Sequence, residues 1–183
     1  MTYFLDFDRT LFDTAQMYRS AIDEGRVPER FTSLVETAVV GQADYSLPGW
    51  EEFFTLFEKN ELDIIGSNAD LLIFPDAKDF LTTYGKQSVI ITFGQEVIQN
   101  RKIDAAGIRD LVGGVMLVGS RLKGEYLLEH LDAAHPATFV DDSVSQLTSV
   151  MTQCPWIRVY EMRRDGRPGA GICSSVRSFA ELT

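Results

Sequence analysis

The sequence predicts an α/β protein: a three-layer Rossmann-like domain with a central, mostly parallel sheet and a small helical cap inserted after the first strand. Three observations predict it. Short apolar runs rich in β-branched or aromatic residues recur at 3–7, 88–92, 114–118, 137–141 and 156–160, and such runs read as buried strands. Helical patterns separate the later runs, at 76–84, 95–106, 122–131 and 143–151; strand and helix in alternation imply parallel strands covered on both faces. Between the first and second runs the alternation stops for roughly 60 residues, far longer than an ordinary crossover.

The first run carries Asp6, and Asp8 follows it. Alternate residues of an extended chain share a face, so the two carboxylates point into one crevice. Asp13 then reads as a helix cap. In the insertion, Met17, Ala21 and Ile22, then Phe31, Leu34, Val35, Ala38 and Val39, then Trp50, Phe53, Phe54 and Phe57 recur at helical spacing. These stripes are expected in the core, with the aromatic one also a candidate pocket wall. The insertion is bounded at 14–73, leaving 1–13 and 74–183 as the main domain.

Past it, Asp76 with Asp79 three residues on resembles a capping arrangement. Thr92 closes the second run, Lys123 opens the helix after the third, and Asp141 and Asp142 close the fourth. Trp156 in the fifth run is expected in the core. Gly166, Pro168, Gly169 and Gly171 make 163–171 a flexible surface turn before a short last segment ending in Leu182.

With 183 residues the chain is long enough for one substantial core. It carries 27 acidic against 17 basic residues, a formal net charge of -10, which argues against nucleic acid and anionic membrane surfaces as partners. A small anion is not excluded, because a metal ion and one or two cations in a cleft reverse the sign locally. Cys154 and Cys173 have no metal-ligand spacing and read as reduced thiols. With no basic leader and no stretch of 18 apolar residues, the expected location is the cytoplasm, and a monomer is the default. His130 and His135 have no acidic or cysteine neighbour at catalytic spacing and are read as structural or exposed.

In open parallel sheets ligands sit beyond the carboxyl ends of the strands. Asp6, Asp8, Asp141 and Asp142 all fall there. Four carboxylates at one edge repel one another unless a cation neutralises them. Oxygen-only ligands suit Mg²⁺, and the lack of a His or Cys cluster argues against zinc.

Asp6-Phe7-Asp8-Arg9-Thr10, Thr92 at a strand end, Lys123 at a helix start, and Phe139-Val140-Asp141-Asp142-Ser143 together resemble the four ordered motifs of the haloacid dehalogenase-like (HAD) superfamily. The resemblance spans nearly the whole chain and implies a Mg²⁺-dependent phosphatase acting on a small phosphorylated metabolite. It implies Asp6 as nucleophile forming an aspartyl-phosphate, and Asp8 as general acid and then base. Thr92 would bond a phosphoryl oxygen and Lys123 would supply positive charge, with Phe93 and Gly94 beside the substrate. Mg²⁺ would be held by the Asp6 carboxylate, the Asp8 main-chain carbonyl and Asp142, with Asp141 as second choice. The second Asp favours phosphoryl transfer over cleavage of a carbon-halogen bond. A phosphomutase and a non-catalytic binding protein on the same fold are the alternatives.

Three departures matter. Arg9 stands where the family commonly has Gly, and a bulky residue does not freely take positive φ; it either contacts phosphate or points to solvent. Phe93-Gly94 follows Thr92 where small or amide residues are common, and Gln146 stands where many relatives have a second acid or an amide. Arg121, two positions before Lys123, is a candidate substitute for it. In the family the cap closes over small substrates and excludes water, a lid motion.

Overall fold

The computed structural model describes residues 1–133 and 135–182. In chain order it holds β1 (Thr2–Leu5), α1 (Thr14–Asp23), α2 (Glu29–Val39), α3 (Pro48–Glu58), α4 (Pro75–Tyr84), β2 (Ser88–Thr92), α5 (Glu96–Ala105), β3 (Gly114–Leu117), α6 (Lys123–His130), β4 (Ala137–Asp141), α7 (Val144–Gln153), β5 (Arg158–Met162) and β6 (Ser174–Val176). The strands form one sheet in the order β3-β2-β1-β4-β5-β6, and every pairing is parallel. Among the described residues no helix is long and apolar enough to cross a membrane.

Side chains alternate across a strand, and β1 shows the result. Tyr3 and Leu5 enter a core with Phe80 of α4, Ile103 of α5 and Phe179. Phe4 enters a second core on the other face, with Leu127 of α6 and Leu147 and Val150 of α7. These are the three layers the alternating pattern predicts. Leu5, the last residue of β1, is in register with Ile90 and Val140 near the ends of β2 and β4, so the residues that follow β1 meet the ends of its neighbours at one rim.

Two elements differ from the sequence reading. β5 lies two residues later than the apolar run, because Ile157 is held in the turn after α7, its N–H donating to the Cys154 carbonyl at 2.9 Å. The strand instead includes Glu161, a fully buried carboxylate that accepts from Ala170 N at 2.8 Å and Ser175 Oγ at 3.0 Å. β6, which carries two exposed serines, has no apolar run to reveal it. Trp156 is half-buried and precedes β5.

The capping expectation holds for Asp13, whose carboxylate accepts from Gln16 N at 2.9 Å. It fails for Asp76: the residue before α4 is Phe74, and Pro75 fills the first turn. Both Asp76 oxygens instead accept from Arg164 Nη1 at 2.8 Å, and one accepts from Phe179 N at 2.7 Å. Arg164 also donates to the Thr10 carbonyl, through Nη2 at 3.0 Å. The 163–171 turn is therefore anchored at its base, although its middle is exposed.

Helices α1 to α3 form the insertion. Trp50, Phe53 and Phe57 are buried in it, each contributing about 1.5–3 kcal/mol of apolar burial, whereas Phe54 is half-buried. The chain leaves and rejoins the main domain side by side. Asp13 N donates to Leu72 O at 2.7 Å, Phe74 N to Leu11 O at 3.0 Å, and Phe12 and Ile73 form an antiparallel bridge.

Candidate active site

At the end of β1 the ladder continues one residue further, Asp6 N donating to Val140 O at 2.9 Å. The chain then folds back at once, with Leu11 N and Phe12 N both donating to Phe7 O, at 3.0 and 2.9 Å. This tight loop presents Asp6 and Asp8 to the same cavity.

Arg9 sits in the loop at φ 61°, the left-handed region that costs a non-glycine residue about 1–2 kcal/mol. The expectation that a bulky residue avoids this conformation is overturned by a tertiary contact. The Arg9 guanidinium donates to the Ala38 carbonyl, at the negative C-terminal end of α2. Arg9 lines the cavity, and its guanidinium is tied to the insertion. Arg101 of α5 makes a similar tie to α3: it donates to Phe57 O and Asn60 Oδ1 and lies 4.8 Å over the Phe57 ring. Helices α2 and α3 thus both end on an arginine of the main domain.

Lys123 opens α6 with its backbone N–H donating to Gln146 Oε1 at 2.8 Å. Its helix presses against α7 so closely that a Cβ on Gly124 would lie 2.3 Å from the Ser149 carbonyl oxygen. That approach delivers Lys123, 1% exposed, to the carboxylates. Its ammonium donates to Asp6 Oδ1 and, at 2.7 Å, to Asp141 Oδ2. Burial opposes its charge, but Asp141 and Asp6 more than offset this and raise its pKa. Asp141 Oδ1 accepts from Ser143 N at 2.8 Å, so both Asp141 oxygens are engaged. Arg121, the candidate substitute for Lys123, pairs with Glu129 at 2.6 Å instead.

Asp6, Asp141 and Asp142 bring one ligand atom each within 4.8 Å of one another. Burial, together with Asp141, Asp142 and Asp8, raises the Asp6 pKa well above the carboxylate range despite Lys123. Burial and Asp141 push Asp142 up to about 7. Asp6 Oδ2 is buried with no hydrogen-bond partner among the described residues. An orphaned, charge-crowded oxygen is what a hard cation satisfies, so the donor set fits Mg²⁺.

Asp8 has surroundings of its own. Its oxygens lie 2.5 and 2.7 Å from Lys102 Nζ, Gln99 Nε2 donates to it at 2.9 Å, and Thr14 Oγ1 donates as well. Burial raises its pKa, but Lys102, Thr14 and Gln99 outweigh this and hold it below the usual range. Lys102, Gln99 and Thr14 were not expected from the sequence. A signal existed: Gln99 and Lys102 share the buried face of α5 with Ile98 and Ile103, polar residues on a stripe that is otherwise apolar.

These groups floor a cavity of about 880 Å³. Its walls include Tyr18, Tyr45, Glu51 and Phe54 from the insertion side and Phe93 and Gly94 from the loop after β2. Thr92 is placed behind this wall. It is 1% exposed, its hydroxyl faces the Phe93 carbonyl at 3.5 Å, and it is not among the lining residues. His130 is exposed, its Nδ1–H donating to the Tyr126 carbonyl at 2.7 Å.

No family model matches the sequence, and neither does any curated protein. Solved structures do match it. YfnB from Bacillus subtilis, a HAD hydrolase bound to magnesium, is 15% identical with a TM-score of 0.63, over 99% of this chain and 96% of its own. A dehalogenase in an intermediate complex is 17% identical with a TM-score of 0.68, over 99% and 94%. A haloacid dehalogenase-like hydrolase from Burkholderia xenovorans is 21% identical with a TM-score of 0.66, again over 99% and 94%. The chain has the fold of the HAD hydrolases, with an aspartate cluster at the rim of its sheet.

Proposed function

We propose that this protein is a Mg²⁺-dependent phosphatase that hydrolyses a small phosphomonoester, with Asp6 as nucleophile and the helical insertion as a cap over the site. One observation carries the reading: at the floor of the cavity the buried Asp6 carboxylate is pinned through one oxygen by Lys123 and crowded by Asp141 and Asp142, while its other oxygen has no hydrogen-bond partner among the described residues. Asp6 and Asp142, with the Asp8 main-chain carbonyl, would hold the cation, because both oxygens of Asp141 are already engaged. When bound, Mg²⁺ supplies positive charge against the phosphoryl oxygens and the clustered carboxylates.

Asp6 attacks phosphorus, the bond to the alcohol oxygen breaks, and water then cleaves the acyl-phosphate. Lys123 orients Asp6 and offsets the charge that gathers there. Asp8, kept ionised by Lys102, takes the proton of the attacking water; for the earlier donation to the leaving oxygen it must first gain a proton against Lys102. Thr92 joins the phosphoryl site by turning its hydroxyl from the Phe93 carbonyl. The arginine ties to α2 and α3 hold the cap closed, so substrate exchange requires them to loosen.

Some neighbours are dehalogenases, and that chemistry is the rival. A halide leaves as a stable anion without a proton, so it gives no use to an acid at Asp8. A haloacid's carboxylate would also meet the aspartate cluster. We place the activity in the cytoplasm, where free Cys154 and Cys173 stay reduced.

The test is phosphate release across a panel of phosphomonoesters, and chloride release from 2-chloropropionate, with Mg²⁺ or EDTA, for the wild type and Asp6→Asn. Metal-dependent phosphate release that disappears in Asp6→Asn supports the reading. Equal phosphate release by both proteins, or chloride release in place of phosphate, sinks it.

A further inference from the structure

The cavity that meets the aspartate cluster is larger than a phosphoryl group needs, and one part of its remaining wall is aromatic. Tyr45 is 55% exposed and Phe93 is 45% exposed, large rings that folding leaves uncovered. Behind Tyr45 the rings are tiered: it lies 4.8 Å from Trp50 and stacks near Phe54 at 6.2 Å, and Trp50 stacks on Phe54 at 5.3 Å. Only Trp50 of these three is fully buried, so the tier ends in open ring surface at the cavity. Phe93 supplies further ring surface from the main domain.

The charges of the wall point the same way. Three cations line the cavity among the described residues, Arg9, Lys102 and Lys123. Lys123 bridges Asp6 and Asp141, Lys102 pairs with Asp8, and Arg9 donates to the α2 terminus. The other charged lining residues away from the cluster are Glu51 and Glu96. A second phosphate or carboxylate on the substrate would therefore meet two acids, Glu51 and Glu96, against one cation not paired with a carboxylate, Arg9, whose guanidinium is tied to the Ala38 carbonyl.

From this juxtaposition we infer that the substrate is a phosphomonoester whose alcohol carries a planar aromatic ring and no second anionic group, the ring lying against Tyr45, Phe54 and Phe93. The inference rests on the phosphatase reading and narrows it. It disfavours phosphoglycolate, sugar bisphosphates and nucleoside di- or triphosphates.

Benzyl phosphate, n-propyl phosphate and phosphoglycolate test it, because benzyl and propyl alcohols are leaving groups of similar kind and differ mainly in the ring. The expected kcat/KM order is benzyl above propyl by about tenfold, with phosphoglycolate lowest. In Tyr45→Ala and Phe93→Ala the benzyl-to-propyl ratio falls toward one through the KM for benzyl phosphate. A ratio near one in the wild type, a preference for phosphoglycolate, or a ratio unmoved in both variants overturns the inference. Calorimetry with benzylphosphonate and propylphosphonate in Mg²⁺ gives a readout without turnover. If no ester is hydrolysed but benzylphosphonate binds about tenfold tighter, the catalytic reading fails and the binding inference stands; equal affinities sink the inference.

Discussion

Replacing Lys123 by Met keeps a side chain of similar length in a fully buried place while removing the ammonium that bridges Asp6 and Asp141. Two carboxylates are then stranded away from water. Breaking a buried pair in this way costs about 3–5 kcal/mol, mostly the uncompensated charge left behind. For a chain of this size 1 kcal/mol moves Tm by about 2–4 °C, so the metal-free variant should melt about 6–20 °C below the wild type. A cation that binds among the same carboxylates relieves the same defect. At a concentration 100 times its Kd it adds about 2.7 kcal/mol, and without the ammonium the carboxylates bind it more tightly. The assay is a pair of urea titrations of wild type and Lys123→Met, in EDTA and in Mg²⁺. The gap should be wide in EDTA and narrower in Mg²⁺. A variant within 1 kcal/mol of the wild type in EDTA, or a gap that Mg²⁺ does not narrow, would refute the coupling of Lys123, Asp6 and the metal site.

Other outcomes follow from the same groups. A folded-state pKa of about 7 for Asp142, against an ordinary value of 3.8, means that the native protein binds more protons than the unfolded chain between these values. Metal-free stability should therefore fall as pH rises from about 4 to 7, and urea midpoints across that range in EDTA should show a slope that Mg²⁺ flattens. Asp8 has the opposite sign: its lowered pKa contributes stability above the ordinary carboxylate value that is lost on acidification below it. Lys102→Met should move the acidic limb of the kcat profile to higher pH, and a limb that stays in place would separate Lys102 from the acid/base step. Gly124→Ala should cost about 1–3 kcal/mol by forcing α6 away from the Ser149 carbonyl. It should also lower kcat by displacing Lys123, which thermal melts and steady-state rates report separately.

Much of this molecule is legible in one dimension because local and tertiary preferences agree. β2 and β4 are buried nearly throughout and have apolar, β-branched or aromatic centres at Val89, Ile90 and Ile91 and at Phe139 and Val140, so a composition scan finds both. Asp6 and Asp142 follow strands directly, Asp141 closes β4 and Lys123 opens the helix after β3, and parallel topology gathers those positions. Legibility fails where a distant partner decides. Glu161 lies past the apolar run at 156–160, and only Ala170 and Ser175 make its burial in the strand tenable. Asp76 matches a capping pattern that Pro75 and Arg164 set aside. Arg9 violates a backbone rule that a carbonyl 29 residues away compensates. Lys102 and Gln99 acquire meaning only once α5 is laid beside the loop that carries Asp8.

The paired hydrogen bonds at Leu11, Asp13, Leu72 and Phe74 make the insertion a detour that departs and returns at one point. Closing a loop of twice the length adds only about 0.6 kcal/mol once its ends are fixed together. The stretch beyond that clasp is thus free to lengthen, shrink or change its aromatic furnishing while the aspartates stay in place. Selection on what the protein recognises and selection on how it reacts can then act on separate stretches of chain.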